Sequence, residues 1–305
     1  MNQSPTKTVI IIAGPTAVGK TTIAIELAKH LQTEIISADS RQCYKELRIG
    51  VARPSDEQLS AVPHHFIASH SIKEEVNAIT FEQYALEKLG KLFRDHDQVV
   101  MVGGTGLYIK AFCEGLDDIP EIDEEVRETI ISNYEQKGID WLQQEIRQKD
   151  PDFYSNGEIR NPQRLMRALE VVEATGRSIL SYRGKEKIKR NFRIVKIALE
   201  LPREELIRNI NSRVENMIKQ GLLSEVKNLL PYKSLNALQT VGYTELFEHL
   251  EGKISLAEAI ERIKINTRQY AKRQMTWFRK DAEIKWFNAG KIRMIAEYLA
   301  IGNSQ

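Results

Sequence analysis

The stretch AGPTAVGKTT, residues 13–22, determines the fold class of this chain. From Gly14 it reads GPTAVGKT, which fits G-x-x-x-x-G-K-[ST] at every fixed position. Before it, TVIIIA at 8–13 has the β-branched composition of a buried parallel strand, and after it Ile23 and Leu27 lie on one face of a predicted helix. Strand, glycine-rich loop and helix together form the phosphate-loop unit. We therefore predict an α/β fold with a P-loop NTPase-like core and a parallel sheet.

The loop is a candidate site for a diphosphate or a triphosphate. Successive backbone N–H groups and the positive end of the following helix converge on an anion in this geometry. Lys20 adds a mobile positive charge, and the Thr21 hydroxyl is the candidate ligand for Mg²⁺. The candidate diphosphate-binding residues are Gly14, Pro15, Thr16, Ala17, Val18, Gly19, Lys20 and Thr21. The alternative is a Gly/Lys loop with no ligand, which the matching flanks disfavour.

Length and composition place the chain among globular proteins. Its 305 residues are 42% hydrophobic, enough for about two domains with a sizeable core. The two cysteines, Cys43 and Cys113, provide neither a disulfide framework nor a zinc cluster. We see no signal segment and no apolar run of membrane-spanning length, so we expect a cytoplasmic protein with no membrane partner.

Positive charge is concentrated in two segments although the net charge is only +2. Residues 160–193 contain ten Lys/Arg against three acids, and residues 262–280 contain seven basic residues and no acid. Tyr270, Trp277 and Phe278 lie within the second segment. Each segment alone is typical of a solvated helix face. Together, beside a phosphate site, they favour a polyanionic partner such as RNA.

The first third of the chain alternates strand and helix patterns. Strands are predicted at 8–13, 34–37, 64–68 and 98–102, with helices after Lys20 and over 80–94. Ligands of such sheets bind beyond the carboxyl ends of the strands. Asp39 follows the second strand, so it is a candidate for metal or proton chemistry, although it could instead cap a helix. The segment GGTGLY at 103–108 follows the fourth strand and is either a ligand-approaching loop or a plain strand-to-helix turn.

An acid is missing where a nucleotide triphosphatase usually has one. The strand QVVMV at 98–102 is followed by glycine instead of the aspartate that would hold Mg²⁺. This weakens the interpretation as a kinase or ATPase. Six scattered histidines form no metal motif, and His64 and His65 are more simply structural.

The pattern changes after residue 117. Helical periodicity without strand patterns continues to FRIVKIALEL at 192–201. We therefore divide the chain into the first part of the core at 1–117, a helical insertion at 118–191, and the completion of the core at 192–305 by a strand and C-terminal helices.

Seven ordered motifs resemble those of the tRNA dimethylallyltransferase (tRNA isopentenyltransferase) family. They are GPTAVGKT, ISADSRQCY, IGVARPS, VGGTGLYIKA, NPQRLMRALEV, LQTVGYTEL and RQYAKRQMTWFRK. The resemblance covers nearly the whole chain, and the lack of C-terminal cysteines is similar to the bacterial form. It implies transfer of a dimethylallyl group from dimethylallyl diphosphate to the exocyclic amine of the adenosine 3′ of the anticodon. The phosphate loop would then hold the diphosphate of a prenyl donor.

The resemblance also implies roles for individual residues. Asp39 would be the general base, with Lys20 and Thr21 assisting catalysis, and Arg213 would lie near the diphosphate unless it is an exposed helix charge. The residues implied to meet the tRNA are Asp39, Ser40, Arg41, Gln42, Thr105, Arg127, Gln163, Arg164, Leu165, Met166 and Arg167. Packing is the better explanation for Leu165 and Met166, whereas Arg164 and Arg167, three residues apart, share one helical face. We expect the cofactor to be Mg²⁺ and the chain to act as a monomer on the anticodon stem-loop.

Two other functions remain compatible with the phosphate loop. A small-molecule or nucleoside kinase would use the same loop and would turn over ATP without prenyl transfer. A non-catalytic RNA-binding switch would sense a nucleotide, and Asp39 would then be dispensable.

Overall fold

A computed structural model describes residues 7–184 and 187–301 and contains a fully parallel sheet. The described strands are β1 (Thr8–Ala13), β2 (Ile35–Ser37), β3 (His64–His65), β4 (Gln98–Val102), β5 (Arg193–Glu200) and β6 (Lys285–Asn288). They are hydrogen-bonded in the order β3-β2-β4-β1-β5-β6, with every pair parallel. Parallel neighbours need crossovers, which helices provide here. The predicted α/β fold is confirmed.

The helices connect these strands or follow them. They are α1 (Lys20–His30), α2 (Asp56–Ala61), α3 (Ala78–Leu92), α4 (Gly106–Glu114), α5 (Glu124–Lys149), α6 (Pro151–Asn156), α7 (Pro162–Thr175), α8 (Arg203–Lys219), α9 (Leu222–Leu229), α10 (Thr244–Leu250), α11 (Leu256–Phe278) and α12 (Ile292–Ile301). In α5 the helical backbone is interrupted at Gly138, where φ is +75°. Within the described ranges, no helix combines the length and the apolar composition that crossing a bilayer requires.

Contacts divide the chain into two compact units. The first contains residues 1–114 and 189–305, and the second contains residues 115–188. All six residues of β1 are buried in the first unit, where Ile10 and Ile12 pack with Ile23 and Leu27 of α1. The phosphate loop therefore connects two elements that are anchored in one apolar core, which fixes its position.

The second unit is helical and has an apolar core of its own. Its buried apolar residues come mainly from α5, α6 and α7 and include Leu142, Phe153, Leu165 and Leu169. The predicted insertion, 118–191, differs from this unit by three residues at each end.

Elements with a strong local pattern lie close to their predicted positions. Strands 8–13 and 98–102 are confirmed, and the helix predicted over 80–94 runs from 78 to 92 because Asn77 and Thr80 form a capping box. The strand predicted over 64–68 was wrong beyond residue 65, since Phe66 and Ala68 have positive φ values of 61° and 48°. The edge strand β6 was not predicted, because four residues with one buried side chain give little periodic signal.

Candidate active site

The phosphate loop between β1 and α1 has the backbone conformation that its glycines allow. Gly14 and Gly19 have φ values of +134° and +100°, and Ala17 also has a positive φ of 63°. A Cβ on Gly14 would lie 2.7 Å from the carbonyl oxygen of Leu199, so β5 leaves no room for a side chain there. No acidic residue occupies the first turn of α1, so its N-terminus remains suited to an anion.

Lys20 lies at the start of α1 with its ammonium group folded over the loop. Its Nζ donates to the carbonyl oxygens of Gly14 (3.0 Å) and Pro15 (2.7 Å). Burial, and secondarily the positive charge of Arg213, lowers the pKa of Lys20 to about 7, while Asp39 opposes this shift. An anion in the loop would favour the charged ammonium form.

Arg213 of α8 reaches the phosphate loop from the C-terminal part of the chain. Its Nη1 donates to the Thr16 hydroxyl at 3.1 Å, and Asn209, one helical turn earlier, donates to the carbonyl oxygen of Ala17 at 3.3 Å. Burial lowers the pKa of the Arg213 guanidinium. The Arg213 side chain is therefore directed into the site and is not an exposed helix charge.

Asp39 follows β2 and closes a turn rather than capping a helix. Its Oδ1 accepts from the backbone N–H groups of Arg41 (2.9 Å) and Gln42 (3.2 Å), and no helix begins in this segment. These bonds fix the direction of the carboxylate.

Two adjoining cavities meet at Asp39. The first, of about 220 Å³, is lined by the phosphate loop with Lys20, Thr21 and Asp39. The second, of about 570 Å³, extends towards residues 239–245. Both are lined by Thr16, Asp39, Val51, Ala52, Arg213 and Tyr270. A phosphate ligand in the first cavity and a larger molecule in the second would therefore both contact the Asp39 region.

The side chains after Asp39 bind neighbouring backbone. Arg41 Nη1 donates to the carbonyl oxygen of Asn236 (2.9 Å), and Gln42 Nε2 donates to those of Val51 and Ala52 (3.1 Å each). The backbone N–H of Ser40 donates to the Thr105 hydroxyl oxygen at 3.0 Å. The structure thus brings residues 39–42, which follow β2, beside Thr105, which follows β4.

The glycines of GGTG leave room for close packing by helix α11 and by Ala38, and Gly103 and Gly104 also line the first cavity. A Cβ on Gly104 would lie 2.2 Å from Gln274 Nε2, and a Cβ on Gly106 would lie 2.2 Å from the Trp277 ring. A Cβ on Gly103 would lie 2.1 Å from the carbonyl oxygen of Ala38. Close packing therefore accounts for the three glycines.

Gln274 is a site residue that was not predicted from the sequence. The residue is only 6% exposed. Its Oε1 accepts from the Thr16 N–H (2.8 Å), and its Nε2 donates to the Gly104 carbonyl oxygen (2.9 Å). It joins the phosphate loop to the loop after β4. One signal in the sequence was its helical spacing, three residues after Ala271 and four before Phe278. This spacing places the amide on the buried face of α11, where it needs hydrogen-bond partners.

Most of the basic segment at 262–280 lies in helix α11, and its basic residues differ in their contacts. Arg262 and Lys264 form ion pairs with neighbouring glutamates, whereas Arg273 lines the second cavity and lies over the Tyr270 ring (5.8 Å). In the segment 160–193, Lys185 lies outside the described residues.

Candidate RNA-contacting residues of the second unit fall into two groups. Leu165 and Met166 are buried in the core of the unit, as their packing alternative anticipated. Arg127 of α5 and Arg167 of α7 both pair with the buried carboxylate of Glu170, at 3.6 and 3.0 Å. The remaining members, Gln163 and Arg164, are exposed in the first turn of α7.

The Thr21 hydroxyl next to the loop fits a magnesium ion bound mainly through a phosphate, because Thr21 lines the first cavity. Over residues 7–184 and 187–301 no group of three or more His, Cys, Asp or Glu side chains could hold a metal ion. Mg²⁺ commonly binds in this way, through few protein ligands plus substrate phosphates.

Comparisons with known proteins agree with this geometry. The family model described as IPP transferase matches residues 42–281. The chain is 46% identical to tRNA dimethylallyltransferase 1 of Bacteroides thetaiotaomicron, over 97% of this chain and 96% of the relative. It is 51% identical to the tRNA dimethylallyltransferase of Christiangramia forsetii, over 91% and 92% of the two chains.

Solved structures show the same fold. The tRNA isopentenylpyrophosphate transferase of Bacillus halodurans matches with a TM-score of 0.72 and 34% identity, over 98% of this chain and 97% of that one. A eukaryotic dimethylallyltransferase acting on tRNA matches with a TM-score of 0.76 and 28% identity, over 93% and 74%. With a loop for phosphate, a carboxylate between two cavities and relatives that match along almost its entire length, this chain belongs to the IPP transferase family of tRNA dimethylallyltransferases.

Proposed function

We propose that this chain transfers the dimethylallyl group of dimethylallyl diphosphate to the exocyclic amine of the adenosine 3′ of the anticodon in tRNA, with release of diphosphate. The observation that carries the proposal is the position of Asp39, which lines both the phosphate-loop cavity and the larger cavity beside it. Family membership supports the same reaction.

The adenine amine is the group that most needs assistance. Its lone pair is delocalised into the ring, so it attacks the allylic carbon more readily as it loses a proton. A new N–C bond forms, the C–O bond to the diphosphate breaks, and the proton passes to the Asp39 carboxylate. A positioned general base of this kind contributes about 10²- to 10⁴-fold. The two N–H bonds to Oδ1 hold the carboxylate for this step.

Negative charge grows on the departing diphosphate. The loop N–H groups, the N-terminus of α1, Lys20 and Arg213 would stabilise it, since all of them line the first cavity or border it. The Thr21 hydroxyl would hold Mg²⁺ together with the diphosphate. When bound, Mg²⁺ supplies positive charge that stabilises the leaving group.

The target base must leave the anticodon stack to reach Asp39. Unstacking costs a few kcal/mol, which protein contacts to the RNA must offset. Ser40, Arg41, Gln42 and Thr105 are the proposed contacts near the base. In the helical unit, Arg127, Gln163, Arg164 and Arg167 are the proposed contacts to the rest of the tRNA, while Leu165 and Met166 support them from the core.

The kinase alternative lacks support from the site. Gly103, whose missing Cβ accommodates Ala38, follows β4 where a magnesium-binding aspartate would be expected. The relatives are transferases, which also argues against a non-catalytic switch.

We further propose that the enzyme acts in the cytoplasm and that it acts as a monomer. Its elution volume with and without tRNA would test the oligomeric state.

A direct assay tests the proposed reaction. Labelled dimethylallyl diphosphate, Mg²⁺ and unmodified tRNA are incubated with the protein, and label in the RNA is measured. A matched tRNA with guanosine 3′ of the anticodon serves as the control and should remain unlabelled. ATP hydrolysis without labelled RNA would support the kinase and contradict the proposal.

A further inference from the structure

Glu225 of α9 lies outside both cavities, and its carboxylate accepts four hydrogen bonds. Oε2 accepts from the backbone N–H groups of Arg48 (3.2 Å) and Ile49 (2.8 Å). Oε1 accepts from the N–H of Gly50 (3.1 Å) and from the Tyr243 hydroxyl (2.6 Å). One side chain from the C-terminal part of the chain thus binds three consecutive N–H groups of a loop some 175 residues earlier. Such charge-assisted bonds are about twice as strong as neutral ones.

Tyr243 completes this contact from the other side of the loop. Its ring is fully buried, and a Cβ on Gly50 would lie 2.5 Å from it. Residue 50 is therefore a glycine because the Tyr243 ring lies directly against its backbone. The loop is held by packing as well as by the carboxylate.

The loop that Glu225 binds continues into the site. Val51 and Ala52 line both cavities, and their carbonyl oxygens accept from Gln42 Nε2 at 3.1 Å each. On its other side, Gln42 Oε1 accepts from the Ser37 hydroxyl at 3.4 Å. The backbone N–H of Gln42 in turn donates to Asp39 Oδ1 at 3.2 Å.

These contacts form a continuous series from α9 to the proposed general base. Glu225 fixes residues 48–50, residues 51 and 52 fix the Gln42 amide, and Gln42 helps to fix the Asp39 carboxylate. We infer that Glu225 is a positioning residue for Asp39, acting through the loop at 48–52 and Gln42. This inference rests on the function proposed above, because it assigns Glu225 to the transfer step rather than to binding of either substrate.

The variant Glu225→Gln tests the inference with little change in size. Whichever way the amide turns, its NH₂ group replaces an oxygen that accepts two bonds, so two N–H or O–H donors lose their acceptor. Displacement of a reacting group by about 1 Å can cost roughly 10²-fold. We therefore expect the single-turnover transfer rate to fall by about 10- to 100-fold, with the KM for dimethylallyl diphosphate unchanged.

A double-mutant cycle distinguishes positioning of Asp39 from general support of the fold. In an Asp39→Asn background, Glu225→Gln should lower the remaining rate by less than about threefold, because contacting networks are not additive. A merely structural role would lower the rate by the same factor in both backgrounds. Lys227→Gln, on the exposed side of the same helix, is the matched control and should leave the rate unchanged.

A second variant keeps the test open if Glu225→Gln does not fold. Tyr243→Phe retains the ring against Gly50 and removes one donor, so we expect a rate loss of about 3- to 10-fold that also disappears in the Asp39→Asn background. Wild-type rates in a folded Glu225→Gln or Tyr243→Phe protein, or equal factors in both backgrounds, would overturn the inference. Absence of transfer by the wild-type protein would instead overturn the proposed function.

Discussion

Asp39 can be tested conservatively because its turn needs only one side-chain oxygen. Oδ1 accepts both backbone N–H groups, and an asparagine carbonyl can accept the same two bonds. Asp39→Asn therefore preserves the turn and removes the ability to take a proton. We expect the single-turnover rate to fall by about 10²-fold or more, with donor and tRNA affinities nearly unchanged.

The melting temperature serves as the control for this substitution. A residue that only closed the turn would tolerate asparagine, so rate and melting temperature would both stay near wild type. A near-wild-type rate in Asp39→Asn would therefore remove Asp39 from the chemistry.

Lys20 should couple diphosphate binding to proton uptake. Its pKa of about 7 means that the ammonium is charged below pH 7 and increasingly neutral above it. A bound anion favours the charged form, so binding above pH 7 takes up a proton, and affinity falls as the pH rises from 7 towards the higher pKa of the complex. Well below pH 7 the uptake linked to Lys20 should vanish.

Calorimetry with inorganic diphosphate in buffers of different ionisation enthalpy measures this uptake. In Lys20→Ala we expect the lysine-linked uptake to disappear and the affinity to weaken by about 10- to 100-fold, since a charged hydrogen bond contributes about 1.5–3 kcal/mol. Transfer should fall with it, while tRNA affinity is retained. Loss of tRNA binding with transfer preserved at saturating RNA would show that the loop does not hold the donor.

At the level of elements, helix α7 carries the arginines that we propose contact tRNA. Arg164 is exposed in its first turn, whereas Arg167 pairs with Glu170 at 3.0 Å. We expect Arg164→Ala with Arg167→Ala to weaken tRNA binding and to reduce the salt dependence by about one unit of slope per lost phosphate contact. Binding is measured over a series of salt concentrations.

The melting temperature of the double variant is the necessary control, because loss of Arg167 leaves the buried Glu170 with fewer partners. Arg164→Ala alone avoids that effect. If the salt slope of both variants equals that of the wild type, the arginines form only a solvated helix face.

Local sequence patterns predicted the elements around the phosphate loop but not the contacts between distant ones. β1, β4 and the loop have patterns within a few residues, and each lies where it was predicted. Gln274 and Glu225 bind backbone groups 258 and about 175 residues away. No periodicity or spacing encodes such partners, because they depend on how helices α9 and α11 pack once the sheet has formed.

At the level of the whole molecule, the helical unit, residues 115–188, is inserted between Glu114 and Lys189 of the first unit. Within the first unit, Arg190 Nε donates to the Phe112 carbonyl oxygen at 2.8 Å, and its guanidinium also binds the Ala111 carbonyl oxygen at 3.0 Å. Within the second unit, a Cβ on Gly115 would lie 2.5 Å from Ile188. In each unit, contacts therefore join the two chain segments at the insertion point, and each unit has its own apolar core.

This connectivity allows diphosphate binding and tRNA binding to be tested separately. We expect a variant in which a short glycine linker joins Glu114 to Lys189 to unfold cooperatively and to bind inorganic diphosphate within about threefold of the wild-type affinity, because the phosphate loop and its partners all belong to the first unit. The deletion removes the arginines of α5 and α7, so tRNA binding should weaken with a lower salt slope, and transfer should be lost. Calorimetry, salt-dependent tRNA binding and the labelled-donor assay measure the three properties on one preparation. Transfer at a wild-type rate by this variant would show that the helical unit does not recognise the tRNA, and the RNA contacts would then have to lie on the first unit, with Arg273 and the exposed face of α11 as the next candidates.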